Sequence, residues 1–251
     1  MAADTVRMFA ADIAAALADD AETLALIHDR ELTAAFVEEL SAIGFPHNLV
    51  MLPADVRAQE AWRFMAAALA DLPARLDATE IDHLAADFAA IYLVSSYGAS
   101  PCESTWIDED HLLCQDTMFQ LREIYRAAGL AAADWRRRPD DHLVLQFAYL
   151  AHAMRHAGNN DDWRAIARMM DEHLFRWLPD FCQRIATRCA TPFYAGLAMV
   201  TNEWAEGLRN LLAARLGEPR PSREEIELRL KPPPVVHTAP VAFVPGIGPA
   251  I

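Results

Sequence analysis

Apolar side chains recur at three- and four-residue intervals from about residue 5 to residue 216, the period at which one face of an α-helix meets a core. Val6, Phe9, Ile13 and Leu17 mark the first helix, with Asp4 or Thr5 placed to cap it. Residues 30–43 carry Leu32, Phe36, Val37 and Leu40, and Gly44-Phe45-Pro46 stops them. Pro53 opens a third helix with Val56, Trp62, Phe64 and Leu69. Asp77 or Thr79 opens a fourth, whose stripe of Ile81, Leu84, Phe88, Ile91 and Tyr92 runs into the break Tyr97-Gly98-Ala99-Ser100-Pro101. The second half repeats the habit. Residues 108–128 carry Leu112, Phe119, Ile124 and Tyr125 and end at Gly129. Pro139 starts a helix with Leu143, Phe147, Leu150 and Met154, and Gly158-Asn159-Asn160 ends it. Asp161 or Asp162 caps a long helix to about Cys189, kinked or interrupted at Pro179. Pro192 opens the last of the series, with Phe193, Leu197, Val200, Trp204, Leu208 and Leu211 on one face.

The pattern predicts an all-α protein: a single multi-helix bundle of about eight helices over 1–216, followed by a proline-rich C-terminal tail over 217–251. Eight of the fifteen prolines fall between Pro219 and Pro249. Within that tail, Ser222–Leu230 reads as a short capped helix, and the chain beyond it as extended or disordered. The apolar end around Phe243 either docks on the body or stays free. A content of 53% hydrophobic residues, rich in Ala and Leu and with only nine Gly, is ample for a core and favours helix over sheet.

Charge narrows the function. The formal net charge is −14, and it belongs entirely to the helical body, where 32 acids face 18 bases. Only Arg136-Arg137-Arg138 forms a basic cluster, and it reads as a solvated turn, so no nucleic-acid partner is expected. An acidic surface instead attracts cationic peptides. The four cysteines, Cys102, Cys114, Cys182 and Cys189, form no CxxC pair and read as reduced thiols. Asp4, Asp12, Asp19 and Asp20 interrupt the N-terminal apolar stretch, which also lacks a basic start, and no run approaches the roughly eighteen apolar residues of a span. The expectation is a cytoplasmic chain with no stable membrane insertion.

Two loops hold the unusual polar density. Ser100-Pro101-Cys102-Glu103-Ser104, followed by Trp106, bridges two helices; Arg138-Pro139-Asp140-Asp141-His142-Leu143 puts two acids and an imidazole at a helix start. Each also has a local structural explanation, as a helix break or as N-terminal helix chemistry. His152 and His156 have zinc-compatible spacing but no evident third ligand, so no metal is expected. No GxGxxG or GxxxxGK[ST] phosphate cradle occurs, and no cofactor is expected.

Residues 88–154 resemble the TorD/DmsD family of redox-enzyme maturation chaperones. The motifs that carry the resemblance are the aromatic-rich Phe88–Tyr97, Pro101-Cys-Glu103-Ser104, Tyr125-Arg-Ala-Ala-Gly129-Leu130 and Asp141-His142-Leu143. His173-Leu-Phe-Arg-Trp-Leu-Pro179 and Pro192-Phe-Tyr-Ala-Gly-Leu197 extend it. The resemblance implies a non-enzymatic helical chaperone that binds the twin-arginine leader, or the apo form, of a molybdenum-containing oxidoreductase catalytic subunit of the dimethyl sulfoxide reductase type. It would assist cofactor insertion and assembly before export, as a monomer or homodimer. By position, the resemblance puts the leader-binding region at Glu103, Ser104, Trp106, Asp140, Asp141, His142 and Gln146. The family usually places a glutamate where this chain has Gln146. Two readings from other classes stand beside it: a helical enzyme using Cys102 and His142, and a generic helical adaptor.

Overall fold

The computed structural model describes residues 2–75 and 77–231; the apolar segment around Phe243 lies outside them. Eleven α-helices occur among the described residues. They are α1 (Ala2–Asp29), α2 (Ala34–Ala42), α3 (Val56–Arg75), α4 (Ala78–Phe88), α5 (Ser104–Ile107), α6 (Asp116–Ala127), α7 (Leu143–His156), α8 (Asn160–Glu172), α9 (Leu178–Arg188), α10 (Pro192–Leu216) and α11 (Arg223–Leu230). A π-helical turn, Ala89–Leu93, continues α4, and a 3-10 turn, Leu174–Arg176, separates α8 from α9. The all-α fold is as the periodicity indicates, with more and shorter helices than eight. Contacts divide the chain into Met1–Arg220 and Pro221–Ile251. In the second unit α11 is closed by a reciprocal capping box between Ser222 and Glu225.

Within the first unit α1 lies along α7, and α10 packs on α3, α8 and α9. The face of α1 presents Ala14, Ala18, Ala21 and Ala25, all buried, together with Leu17 and Leu24. Such small residues let a neighbouring helix approach closely. Gly196 does the same for α10: a Cβ there would stand 3.0 Å from the Met65 Cα of α3. Trp177, Trp204, Phe147 and Phe181 fill the centre. Asp20, buried midway along α1, accepts the Val50 and Met51 amides and the Trp204 indole N–H, joining α1 to α10 and to the loop before α3.

Several helix boundaries differ from the sequence expectation. Thr33 caps α2 through the Phe36 amide, so Arg30–Leu32 precede the helix. The third helix begins at Val56, not Pro53, and Val56 and Phe64 are exposed. The expected helix over 108–128 begins only at Asp116. Asp108 draws the Asp110 and Leu112 amides into a local turn, and His111 and Cys114 adopt φ of 56° and 59°, outside helical geometry. The helix after Pro139 begins at Leu143, because Asp140 and Asp141 are held by partners elsewhere in the chain. Asn159, not Asp161 or Asp162, caps α8. The break after α8 falls at His173, six residues ahead of Pro179, which sits in the first turn of α9.

Candidate functional site

The two polar loops of the sequence meet. Cys102 and His142 form an isolated antiparallel bridge, the Leu143 amide donates to the Pro101 carbonyl at 2.8 Å, and the Glu103 amide to the Asp141 carbonyl at 3.2 Å. Their side chains lock the junction. One Asp141 oxygen accepts both the Ser104 amide (2.7 Å) and the Ser104 hydroxyl (2.5 Å), capping the start of α5 from another segment. The other Asp141 oxygen is buried without a hydrogen-bond partner among the described residues. Glu103 accepts from His173 Nδ1 at 3.1 Å on one oxygen and from the Gln146 amide at 3.2 Å on the other, with an Arg176 nitrogen 3.9 Å away. Gln146 also donates to the Asp141 carbonyl at 3.0 Å. A carboxylate in place of Gln146 would set like charges against each other here, so the amide suits this junction.

Asp140 accepts two bonds from the Arg122 guanidinium, at 2.7 and 3.1 Å, and its carbonyl takes the Tyr125 hydroxyl at 3.0 Å. Arg122 in turn lies over the exposed Trp135 ring. Trp106 is half-buried: its indole N–H reaches the Ser100 carbonyl at 2.8 Å and Arg184 covers its ring. His142 caps α7, its Nδ1 accepting the Val144 amide at 3.2 Å. Burial raises the pKa of Glu103 and Asp141 from their ordinary values and lowers that of His142 to about 3. Six of the seven sequence-derived site residues are therefore buried, and they knit one junction.

That junction underlies an open groove of about 650 Å³. His142, Pro101 and Cys102 form part of its wall; Phe88, Tyr92 and Leu93 supply apolar surface, as does Leu113 from the loop before α6. Leu93 and Leu113 are more than half exposed. At its rim stand Asp29, Asp134, Arg137 and Arg138, with Arg138 paired to Asp29. Sequence reasoning missed this groove, because its walls come from five separated segments. The two polar loops and the aromatic-rich Phe88–Tyr97 were visible one by one, but nothing local in the sequence shows that they share one wall. It also missed His173, whose contact with Glu103 joins α8 to the first loop.

Residues 55–183, just over half of the chain, match the family model described as nitrate reductase delta subunit, and that span contains both loops. Curated relatives of similar sequence include proteins named as chaperones. They include the chaperone protein TorD of Shewanella pealeana, 27% identical over 53% of this chain and 62% of the relative. The chaperone protein TorD of Vibrio cholerae is 31% identical over 46% of this chain and 56% of the relative. The Tat proofreading chaperone DmsD of Salmonella typhi is 29% identical over 40% and 47%. The chain belongs to the TorD/DmsD family. It spans about half to six-tenths of the length of these relatives.

For a TorD/DmsD member, the chemistry of the junction is structural more than reactive. Cys102 and His142 are backbone neighbours, yet burial pushes the Cys102 thiol well above its ordinary value, and the His142 Nδ1 is occupied by the Val144 amide. A thiolate–imidazole pair is thus disfavoured on both sides. Among the described residues, no group of three or more His, Cys, Asp or Glu is placed to hold a metal ion, and no helix is long and apolar enough to cross a membrane.

Proposed function

We propose that this chain is a maturation chaperone for a molybdenum-containing oxidoreductase of the dimethyl sulfoxide reductase type, acting in the cytoplasm on the precursor of the catalytic subunit. It holds the twin-arginine leader until the cofactor is inserted, and so delays export. The observation that carries this reading is the groove: an open cleft with an apolar wall of Phe88, Tyr92, Leu93 and Leu113 and a charged rim, built on the two loops that also carry the family resemblance. An apolar leader segment fits against Leu93, Leu113, Phe88 and Tyr92. The surplus of acids on the body favours approach of the leader's arginines, chiefly through on-rate and orientation. Exposed ion pairs contribute only about 0.2–1 kcal/mol each, so apolar burial supplies most of the affinity.

In this reading Glu103, Ser104, Asp140, Asp141 and Gln146 shape the leader-binding region from beneath, Trp106 braces the first loop, and His142 reaches the groove wall. The test is titration of a synthetic leader peptide from a dimethyl sulfoxide reductase-type subunit of the same genome. Leu93→Ser and Leu113→Ser, both at exposed positions, are expected to weaken binding by about fivefold each, with unchanged melting. Unchanged affinity in both variants would remove the groove from the reading, and failure of the parent chain to bind any such leader would remove the leader itself.

A further inference from the structure

Five of the eighteen bases of the helical body fall within residues 119–138, against two of its thirty-two acids, Glu123 and Asp134. The fold gathers these bases beside two exposed aromatic rings, Trp135 at 40% and Phe119 at 49% exposure. The Arg122 guanidinium lies over both, 4.9 Å from the Trp135 centroid and 5.3 Å from that of Phe119. Arg136 also lies over Trp135, at 5.2 Å. Buried Asp140 fixes Arg122 through two bonds. The turn that carries Trp135 is built as firmly. The Asp134 carbonyl accepts the Arg137 and Arg138 amides at 3.1 and 3.0 Å, and its carboxylate accepts the Arg136 amide at 3.2 Å.

The carboxylates around this ridge are already engaged. Asp140 holds Arg122, Glu123 pairs with Arg126, Asp29 pairs with Arg138, and Asp134 closes its own turn. Arg136 and Arg137 are exposed, and neither has a carboxylate partner among the described residues. A guanidinium stacked on an indole keeps its in-plane N–H donors and is held ready for a carboxylate. Trp, Phe and Arg are moreover residue types enriched where proteins dock on one another. On a body that is otherwise strongly acidic, this ridge is the place that draws a negative partner.

We propose that the ridge of Phe119, Trp135 and Arg136 docks an acidic segment of a partner polypeptide. Its carboxylates meet Arg136 and Arg137, and its apolar side chains cover the two rings. A nucleic acid suits the surface less well, because its continuous phosphate charge would run off this small patch onto a body of net charge −14. The ridge is independent of the leader reading: Asp134 and Arg137 line the groove, whereas Phe119, Trp135 and Arg136 do not.

The experiment is a nuclear magnetic resonance titration of the nitrogen-15-labelled full chain with a capped peptide of alternating glutamate and leucine. Two controls run beside it: the same peptide with glutamine for glutamate, and an oligothymidylate of equal charge. The glutamate peptide is expected to shift the Trp135 indole signal saturably, less so at high salt, and the controls to leave it in place. Trp135→Ala, read at the backbone amides of residues 134–138, is expected to weaken binding by about tenfold. Arg136→Gln is expected to weaken it by up to about fivefold. Both positions are exposed, and melting curves recorded beside the titrations show that the variants remain folded. Leu93→Ser, in the groove, is expected to have no effect on this peptide, which separates docking on the ridge from entry into the groove. Equal shifts from either control, no shift at Trp135, full affinity in both ridge variants, or lost affinity in Leu93→Ser would each overturn the proposal.

Discussion

Asp20, Asp87, Glu103 and Asp141 are buried carboxylates, and each collects donors from chain segments far away in sequence. Asp87 shows the pattern most fully. It accepts the Ala190 and Thr191 amides, the Thr191 hydroxyl and the Tyr97 hydroxyl, and so ties the turn that leads into α10 to α4. Asp141 holds the start of α5 in the same way, and Asp141→Ala would strand the buried Ser104 amide and leave the Ser104 hydroxyl only its contacts with Thr117 and Gln115. A loss of about 3 kcal/mol is expected, read as a shift of the urea midpoint at unchanged slope. A variant that melts like the parent would mean the capping role is wrong and that Asp141 serves binding alone. Gln146→Glu probes the adjacent contact with Glu103. Two carboxylates at that distance cannot both be ionised, so the variant is expected to lose about 3 kcal/mol at neutral pH. The new group would have a folded pKa above its unfolded value. Its penalty is therefore full above the folded pKa and disappears as pH falls below the unfolded one. Denaturation at pH 7.5 and pH 5 should show the deficit shrinking, and a pH-independent deficit would point to packing instead.

Helices were legible in the sequence wherever their ends depend on neighbours along the chain. Asp77 caps α4 on the Glu80 amide, and Ser222 with Glu225 closes α11. Pro192 opens α10, and Gly217 ends it in the left-handed region at φ 68°. The start of α7 was illegible for the opposite reason. Pro139-Asp140-Asp141 has the composition of a first turn, yet Arg122 and Ser104 claim the two carboxylates, and these partners lie at least 18 residues away. The candidate site shared this fate: the two loops were visible as polar clusters, but their bridge and the groove above it exist only in the fold. At α8 the competition was between adjacent residues. Asn159 accepts the Asp161 and Asp162 amides, while Asp162 returns to the Gly158 and Asn159 amides. Asn159→Ala is expected to cost about 1 kcal/mol by thermal or urea unfolding. Asp161→Ala, which loses only an exposed pair with Arg164, should cost a few tenths. The reverse ranking would restore Asp161 as the cap.

Across the whole body, one coupling between distant helices through a titratable group runs through His28. From the end of α1 its Nδ1 meets the Tyr92 hydroxyl at 2.6 Å, and its Nε2 meets the Thr201 hydroxyl of α10 at 2.8 Å. In the neutral ring one nitrogen donates and the other accepts, and the two hydroxyls can meet either tautomer, so it is burial and not the contacts that keeps the ring uncharged. Burial accordingly lowers its pKa to about 3 from an ordinary 6.5. The unfolded chain takes up this proton below about pH 6.5 and the folded one does not, so the fold loses stability as pH falls from there towards 3. Over pH 7.5 to 5 the loss from one such histidine is about 2 kcal/mol. His142 acts in the same direction, whereas the raised carboxyls of Asp20, Glu103 and Asp141 hold protons more tightly in the fold and act in the opposite one. Comparison with His28→Gln cancels these shared contributions. The variant starts less stable at pH 7.5, but its stability should fall by about 2 kcal/mol less than the parent's on going to pH 5. Parallel curves would show that His28 titrates alike in the folded and unfolded chain, and that its bridge between α1 and α10 does not require the neutral ring.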